Sequence, residues 1–156
     1  MVRNGVEPAM RILVVDDSRD NRLFVAACLR NEGATIEQAG DGLAALHLIH
    51  ERCPDLIILD VDLPMLDGFE TLRGIRSAGL GPTDVRVIAV TARSEIDASV
   101  RCAEAGADDY VAKPVRDPSL LRAKVRAQML DLSRCRSALR DLSPPFDKRS
   151  GETHPH

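Results

Sequence analysis

At 156 residues, with 44% hydrophobic and 29% charged residues and a formal net charge of −3, the chain suits one globular domain plus a tail and is long enough to bury a core. No apolar run approaches the roughly 20 residues that cross a bilayer, and the first ten residues lack the apolar centre of a signal peptide, so no membrane segment is expected and the expected location is the cytoplasm. Charge is uneven, −6 over residues 1–116 and +3 over 117–156: the acidic body does not suit nucleic acid, and the later basic residues, interleaved with acids, read as a solvated helix face.

Residues 1–10 read as a disordered leader, with Met10 an alternative start. Arg11 to Val15 forms a first strand ending in Asp16-Asp17, and Ser18 caps a helix through about Asn31 with Val25 and Leu29, and Phe24 and Cys28, at i, i+4 spacing. Gly33 stops it. Thr35 to Ala39 is a short, more polar strand suited to a sheet edge. Asp41-Gly42 turns into a helix to Arg52 with Leu43, Leu46 and Ile49 on its inward face. After Pro54, Leu56-Ile57-Ile58-Leu59 is too short to bury itself as a helix and reads as a central strand covered on both faces, as parallel sheets are, stopping at Asp60. Asp67-Gly68 opens a helix to Ser77 with Phe69, Leu72 and Ile75 inward. Val85 to Val90 is another apolar strand, ending at Thr91; Ser94, with Asp97 three residues on, resembles a capping box for an Ala-rich helix that stops at Gly106. Asp109 to Ala112 is a fifth strand ending at Lys113-Pro114, and a last helix begins near Asp117 or Pro118. Five strands alternating with five helices predict an α/β, doubly wound parallel sheet. The four cysteines, at 28, 53, 102 and 135, lack metal-ligand spacing, and reduced thiols are expected.

In such a sheet all strands end on one edge, which is where ligand chemistry collects. Asp16 and Asp17, Asp60, Thr91 and Lys113 therefore share one pocket. Three carboxylates there repel, a pair ~4 Å apart by about 4 kcal/mol at an effective dielectric of 20. A hard divalent cation such as Mg²⁺ relieves that repulsion and screens Asp60 for attack on a phosphoryl donor. Lys113 can contact the transferred group as a point charge, and Thr91 can donate a hydrogen bond to it. His47 and His50, at i, i+3, read as solvent-facing.

The motifs V-V-D-D-S (14–18), I-L-D-V-D-L-P-M-L-D-G (58–68), V-T-A (90–92) and A-G-A-D-D-Y-V-A-K-P (105–114) make the chain resemble the receiver domain of bacterial two-component response regulators, with a chemotaxis-regulator-like fold. The resemblance implies a flavodoxin-like (βα)5 fold with strand order 2-1-3-4-5, spanning residues 11–130. It implies that Asp60 is the phosphoacceptor, served by a histidine kinase or histidine phosphotransfer protein, and that Asp17 is a direct Mg²⁺ ligand. Asp16 would act through water, and the Asp62 main-chain carbonyl would complete the protein ligands. Thr91 and Tyr110 are the implied switch pair, and the Lys113–Pro114 bond is expected to be cis. The chain would act on itself alone, catalysing its own phosphorylation and dephosphorylation. Asp62 and Arg93 occupy variable positions where opposite charges would pair across the pocket mouth and tune water access to the acyl phosphate. Asp60-x-Asp62 also resembles the nucleophile motif of haloacid-dehalogenase-type phosphatases, but that family wants Thr or Val where Pro64 stands, and no cap insertion is evident.

Beyond the receiver, residues 131–142 extend the last helix, and the Pro-rich stretch 143–156 reads as a disordered tail. Val125, Gln128, Leu132, Cys135, Leu139 and Leu142 form a short heptad seam, which either joins two copies or packs back on the receiver. Three outputs are compatible: a stand-alone regulator docking a downstream partner near the fourth and fifth helices, a phosphate relay, or a receiver detached from a kinase or nucleotide cyclase. The Asn21-Arg22 pair is reminiscent of receivers in hybrid kinases.

Overall fold

Short β-branched and aliphatic runs that cannot bury themselves alone pair edge to edge and take their cover from the helices between them. The computed structural model, which describes residues 9–92 and 95–142, places five such strands: β1 Met10–Val15, β2 Ala34–Ala39, β3 Leu56–Asp60, β4 Arg86–Thr91 and β5 Asp109–Ala112. All neighbours are parallel, in the flavodoxin-like order β2-β1-β3-β4-β5 that the motifs imply. β3 is central, Ile58 lying beside Val14 of β1 and Ile88 of β4, and all five of its residues are buried.

Side-chain alternation sorts the strands into two cores. Leu13, Ile57, Leu59 and Val87 face one layer with Ile49 of α2 (Gly42–Glu51), Leu72 of α3 (Gly68–Ser77) and Cys102 of α4 (Glu95–Ala105). Ile12, Val14, Ile58 and Ile88 face the other, with Val25 of α1 (Arg19–Cys28) and Leu121 and Val125 of α5 (Pro118–Leu142). Each fully buried aliphatic side chain here stabilises the fold by roughly 2 kcal/mol. Acceptor side chains start the helices: Ser18 Oγ takes Asn21 N at 3.3 Å, Asp41 Oδ1 takes Ala44 N at 2.7 Å, and Asp67 Oδ1 takes Glu70 N at 2.8 Å. Such caps are worth about 1 kcal/mol each and set the angle at which each helix leaves the strand ends.

Four expectations change. β1 begins at Met10, inside the expected leader, because Met10 pairs with Ala34. α1 ends at Cys28 rather than near Asn31; Leu29 N reaches both Val25 O and Ala26 O, and Arg30 N reaches Ala27 O, so the helix tightens into a turn that Gly33, at φ 72°, completes. Leu43 is not inward: it is 62% exposed. The buried face of α2 is Gly42, Ala45 and Ile49, and Gly42 lies against the Thr71 hydroxyl and Leu66, a closeness that leaves the bulkier Leu43 outside. β4 starts at Arg86, a buried arginine inside the stretch read as apolar.

The 25-residue α5 is the longest element. Its stripe is turned toward the protein's own sheet through Cys135: Val125 and Leu132 are buried, and Arg86 reaches Gln128 Oε1 at 3.3 Å, Asp131 Oδ2 at 2.8 Å and Cys135 Sγ at 3.4 Å. Arg136 completes the attachment, with Asp55 Oδ1 at 2.7 Å, Asp84 O at 2.8 Å and Thr83 O at 3.2 Å. Leu139 and Leu142, one heptad further, are exposed. The leader through residue 8, Arg93, the Ser94 cap and the 143–156 tail lie outside the described residues. No described helix is long and apolar enough to cross a membrane, and the four cysteines form no disulfide.

Candidate functional site

The ends of β1, β3, β4 and β5 meet along one edge of the sheet. Asp60 is the last residue of the most buried strand and is itself 1% exposed. Carboxylate oxygens of Asp16, Asp17 and Asp60 lie within 4.8 Å of one another. Asp16 is buried and Asp17 exposed, so the cluster has a closed floor and an open mouth.

Asp60 is held on one side only. Its Oδ1 accepts the Asp62 backbone N–H at 2.8 Å and lies 2.6 Å from Lys113 Nζ. Its Oδ2 is buried and has no hydrogen-bond partner among the described residues. A buried carboxylate oxygen without a partner is costly, on the order of 1–3 kcal/mol, and native folds keep such atoms where a ligand satisfies them. Hard oxygen donors around that atom form the donor set that suits Mg²⁺ with retained waters, so the residues present fit the implied cation.

Asp16 is fixed from every direction except the cluster. Its N–H donates to Ala39 O at 3.2 Å, its Oδ1 accepts Ser18 N–H at 2.8 Å, and its carbonyl accepts Arg22 Nη1 at 2.6 Å. Burial pushes the Asp16 carboxyl above the usual carboxylate range; the Ser18 N–H opposes this, and the Asp60 charge adds to it. A cation at the cluster would reverse that balance.

Lys113 reaches the site because β5 ends against β4: its N–H donates to Thr91 O at 2.8 Å, and the Lys113–Pro114 bond is cis as expected. Thr91 is fully buried at the end of β4, and Tyr110, half-buried on β5, points to the same face of the sheet. The Tyr110 ring has Lys124 Nζ 5.9 Å from its centre. Gly68 lets α3 begin directly on the end of β3, since a Cβ there would run into Val61 Cα and the Asp60 carbonyl. A cleft of about 400 Å³ runs from Asp16, Asp60 and Lys113 down between α1 and the sheet, with Phe24, Val25 and Val115 on its apolar side.

Asp16, Asp17, Asp60, Asp62, Thr91 and Lys113 therefore lie at this edge, and Tyr110 lies two residues back along β5, beside Ala89. Two contacts escaped the sequence reading. Arg22, noted only as half of a dipeptide, braces the Asp16 carbonyl and also donates from Nε to Gln38 Oε1 at 3.3 Å. Asp62 was expected to face Arg93, which lies outside the described residues. Among the described residues its Oδ2 accepts Ala92 N–H at 3.2 Å and stands 3.9 Å from Lys113 Nζ. His47 and His50 are exposed, His47 pairing with Glu51 at 3.2 Å.

Comparison with known proteins matches residues 12–126 to the response regulator receiver domain. The chain is 39% identical over 141 residues to response regulator MprA of Mycobacterium avium, covering 90% of this chain and 56% of that protein. Among solved structures, chemotaxis protein CheY4 of Vibrio cholerae superposes with a TM-score of 0.69 at 26% identity, covering 77% of this chain and 98% of that one. NtrX of Brucella abortus superposes with a TM-score of 0.75 at 31% identity, covering 84% and 30% respectively. The chain thus spans only 50% to 56% of the length of the MprA relatives it matches.

Proposed function

The chain belongs to the response regulator receiver family of two-component signalling, and from that premise we propose that Asp60 accepts a phosphoryl group from a phosphohistidine on a histidine kinase or histidine phosphotransfer protein. The observation that carries this is the Asp60 carboxylate, clustered with those of Asp16 and Asp17, whose buried Oδ2 has no hydrogen-bond partner among the described residues. Attack by an Asp60 oxygen forms a P–O bond as the P–N bond to the donor imidazole breaks, and the bonding pair leaves with the imidazole. Asp17, Asp60 and the Asp62 carbonyl would hold Mg²⁺ directly, and Asp16 through water. Bound there, the cation supplies charge neutralisation for the incoming phosphoryl oxygens. Lys113, already 2.6 Å from Asp60, meets the same charge from the other side.

Thr91 and Tyr110, on adjacent strands and the same face, are the proposed read-out: the hydroxyl moves toward the phosphoryl group, and the ring turns inward into the space this vacates. Asp62 and Arg93 set how readily water reaches the acyl phosphate. The output is a docking event. Large exposed apolar side chains stand on α4 (Ile96 and Val100) and α5 (Leu120), which suits a downstream protein partner. Because the α5 stripe is occupied by the protein's own sheet through Cys135, docking of another protein is favoured over pairing of two α5 helices.

The test is intact mass and solution mass after exposure to a small phosphodonor with Mg²⁺, with Asp60→Asn as control. One phosphoryl group should be added to the wild type and none to the variant, without a change in oligomeric state. An unmodified wild type, or modification that persists in Asp60→Asn, refutes the assignment.

A further inference from the structure

One carboxylate beside Asp60 already faces the ammonium that a phosphorylated Asp60 would need. Lys113 Nζ is 2.6 Å from Asp60 Oδ1 and 3.9 Å from Asp62 Oδ2, so two acidic side chains share one ammonium. Asp62 Oδ2 also accepts the backbone N–H of Ala92, the residue directly after Thr91, at 3.2 Å. A side chain from the loop after β3 thus fastens the first residue of the connection to α4. The backbone N–H of Asp62 is bonded to Asp60 Oδ1 at 2.8 Å, which fixes the root of that side chain beside the phosphoacceptor.

We propose that the Asp62 carboxylate is an internal stand-in for the phosphoryl group: it occupies Lys113 and the Ala92 amide while Asp60 is unmodified, and it is displaced when Asp60 is phosphorylated. The inference rests on the reading of Asp60 as the phosphoacceptor. A phosphoryl group brings close to two negative charges and three acceptor oxygens to Asp60, within reach of the ammonium that Asp62 already faces. The two anions compete for the same ammonium and repel each other. The Asp62 side chain is 34% exposed, so it can swing into water without a large desolvation cost, whereas Asp60, 1% exposed, cannot move aside. Its departure releases the Ala92 amide and, through it, the chain segment that carries Thr91. Asp62 therefore holds the connection after β4 in its resting position and raises the threshold for the phosphorylated state.

The experiment titrates beryllofluoride, a phosphoryl analogue that binds carboxylates, with Mg²⁺ into the wild-type protein, Asp62→Asn and Asp62→Ala, following backbone amide resonances. In the wild type the Ala92 amide is expected to shift on binding. In Asp62→Ala that amide should already be displaced before the analogue is added, and beryllofluoride should bind about tenfold more tightly than to the wild type, as expected for removal of one like charge at this range in a partly screened site. Asp62→Asn, which keeps an acceptor but loses the charge, should fall between them. Equal affinities in all three proteins, or weaker binding to Asp62→Ala, overturn the proposal while leaving Asp60 as the acceptor. Absence of binding in all three, including the wild type, refutes the reading of Asp60 and the proposal with it.

Discussion

The second half of α5 offers the sharpest test of where the folded unit ends. Leu132 lies six residues past the segment that matches the receiver family, yet it is 0% exposed, whereas Leu139, on the same heptad stripe, is 51% exposed. Were residues 127–142 an arm standing off the domain, neither leucine would matter to stability. In the structure Leu132 is fully buried and Leu139 is half-exposed. Leu132→Ala removes a fully buried side chain beneath a helix held at Arg86 and Arg136, so little collapse can fill the gap; the expected cost is about 3 kcal/mol, within the range for buried Leu→Ala changes. The neighbouring ion pairs add little to this figure, because the Asp131 carboxylate is 59% exposed and its pair with Arg86 is correspondingly screened. Leu139→Ala should stay within about 0.5 kcal/mol of wild type, since it removes a half-exposed side chain and installs the best helix former. Urea unfolding followed by circular dichroism reads both: with m near about 1.5 kcal/mol/M, Leu132→Ala should lower the midpoint by roughly 2 M. A Leu132→Ala midpoint matching the wild type would refute the packing argument. A loss at Leu139 as large as that at Leu132, growing as protein concentration is raised, would show that a second copy covers the seam.

Two further substitutions probe the site itself. Gly68→Ala would drive a Cβ into Val61 Cα and the Asp60 carbonyl, and to 2.9 Å from the Asp60 carbonyl carbon; because these are backbone atoms of a central strand, the loss should be at least about 2 kcal/mol in urea unfolding, with slower Asp60 phosphorylation, and a variant as stable as wild type would show that α3 can retreat freely. Asp16→Asn tests the electrostatics: burial holds the Asp16 carboxyl above its usual value of 3.8, so the folded protein binds more protons there than the unfolded chain, and the stability this contributes in acid is lost as pH rises through a window opening at 3.8. Without Mg²⁺, Asp16→Asn should therefore be more stable than the wild type at neutral pH, with the gap closing in acid; saturating Mg²⁺ should stabilise the wild type more than the variant. A variant less stable than wild type at neutral pH without Mg²⁺ would contradict this.

The site was legible because it is written at strand ends. Once Leu56–Leu59 is read as a buried parallel strand, the edge on which Asp16, Asp17, Asp60, Thr91 and Lys113 must meet follows from topology alone. What the pattern does not carry is depth of approach. Periodicity places Leu43 inward, but Gly42 and Ala45 let α2 come so close to the loop before α3 that a smaller face is the buried one. Met65 adopts φ 63° and is 95% exposed in the loop after β3, a backbone state nothing about a methionine announces. The arginines were the larger omission. Arg76 donates to Gly106 O, Leu80 O and Val85 O and pairs with Asp108 at 3.0 Å, Arg22 braces Asp16, and Arg86 sits buried at the foot of β4. Arginine reads as a surface residue in composition; whether its donors find carbonyl oxygens is decided by loops that are distant in sequence.

Those arginines also explain how the domain can keep a site that works against its own stability. Asp16, Asp17 and Asp60 converge with Lys113 as the facing ammonium, and one oxygen of Asp60 is buried without a hydrogen-bond partner among the described residues. Replacing such a cluster with apolar side chains would often stabilise a fold, because desolvated charges are repaid only when every partner is present. At the opposite end of the same strands the pairing is denser: Asp55 Oδ2 accepts Arg11 N–H at 2.8 Å while its Oδ1 meets Arg136, and Asp108 is shared by Arg76, Arg86 and the Val87 N–H. The sheet is thus fastened at its base by a dense set of ion pairs and hydrogen bonds and by the buried Leu132, although Arg86 Nε there has no hydrogen-bond partner among the described residues, while at its upper edge Asp60 Oδ2 has none. An incomplete set of partners around Asp60 is tolerable because the elements that position it are held from below, and it is that incompleteness which would give the proposed cation and phosphoryl group something to bind.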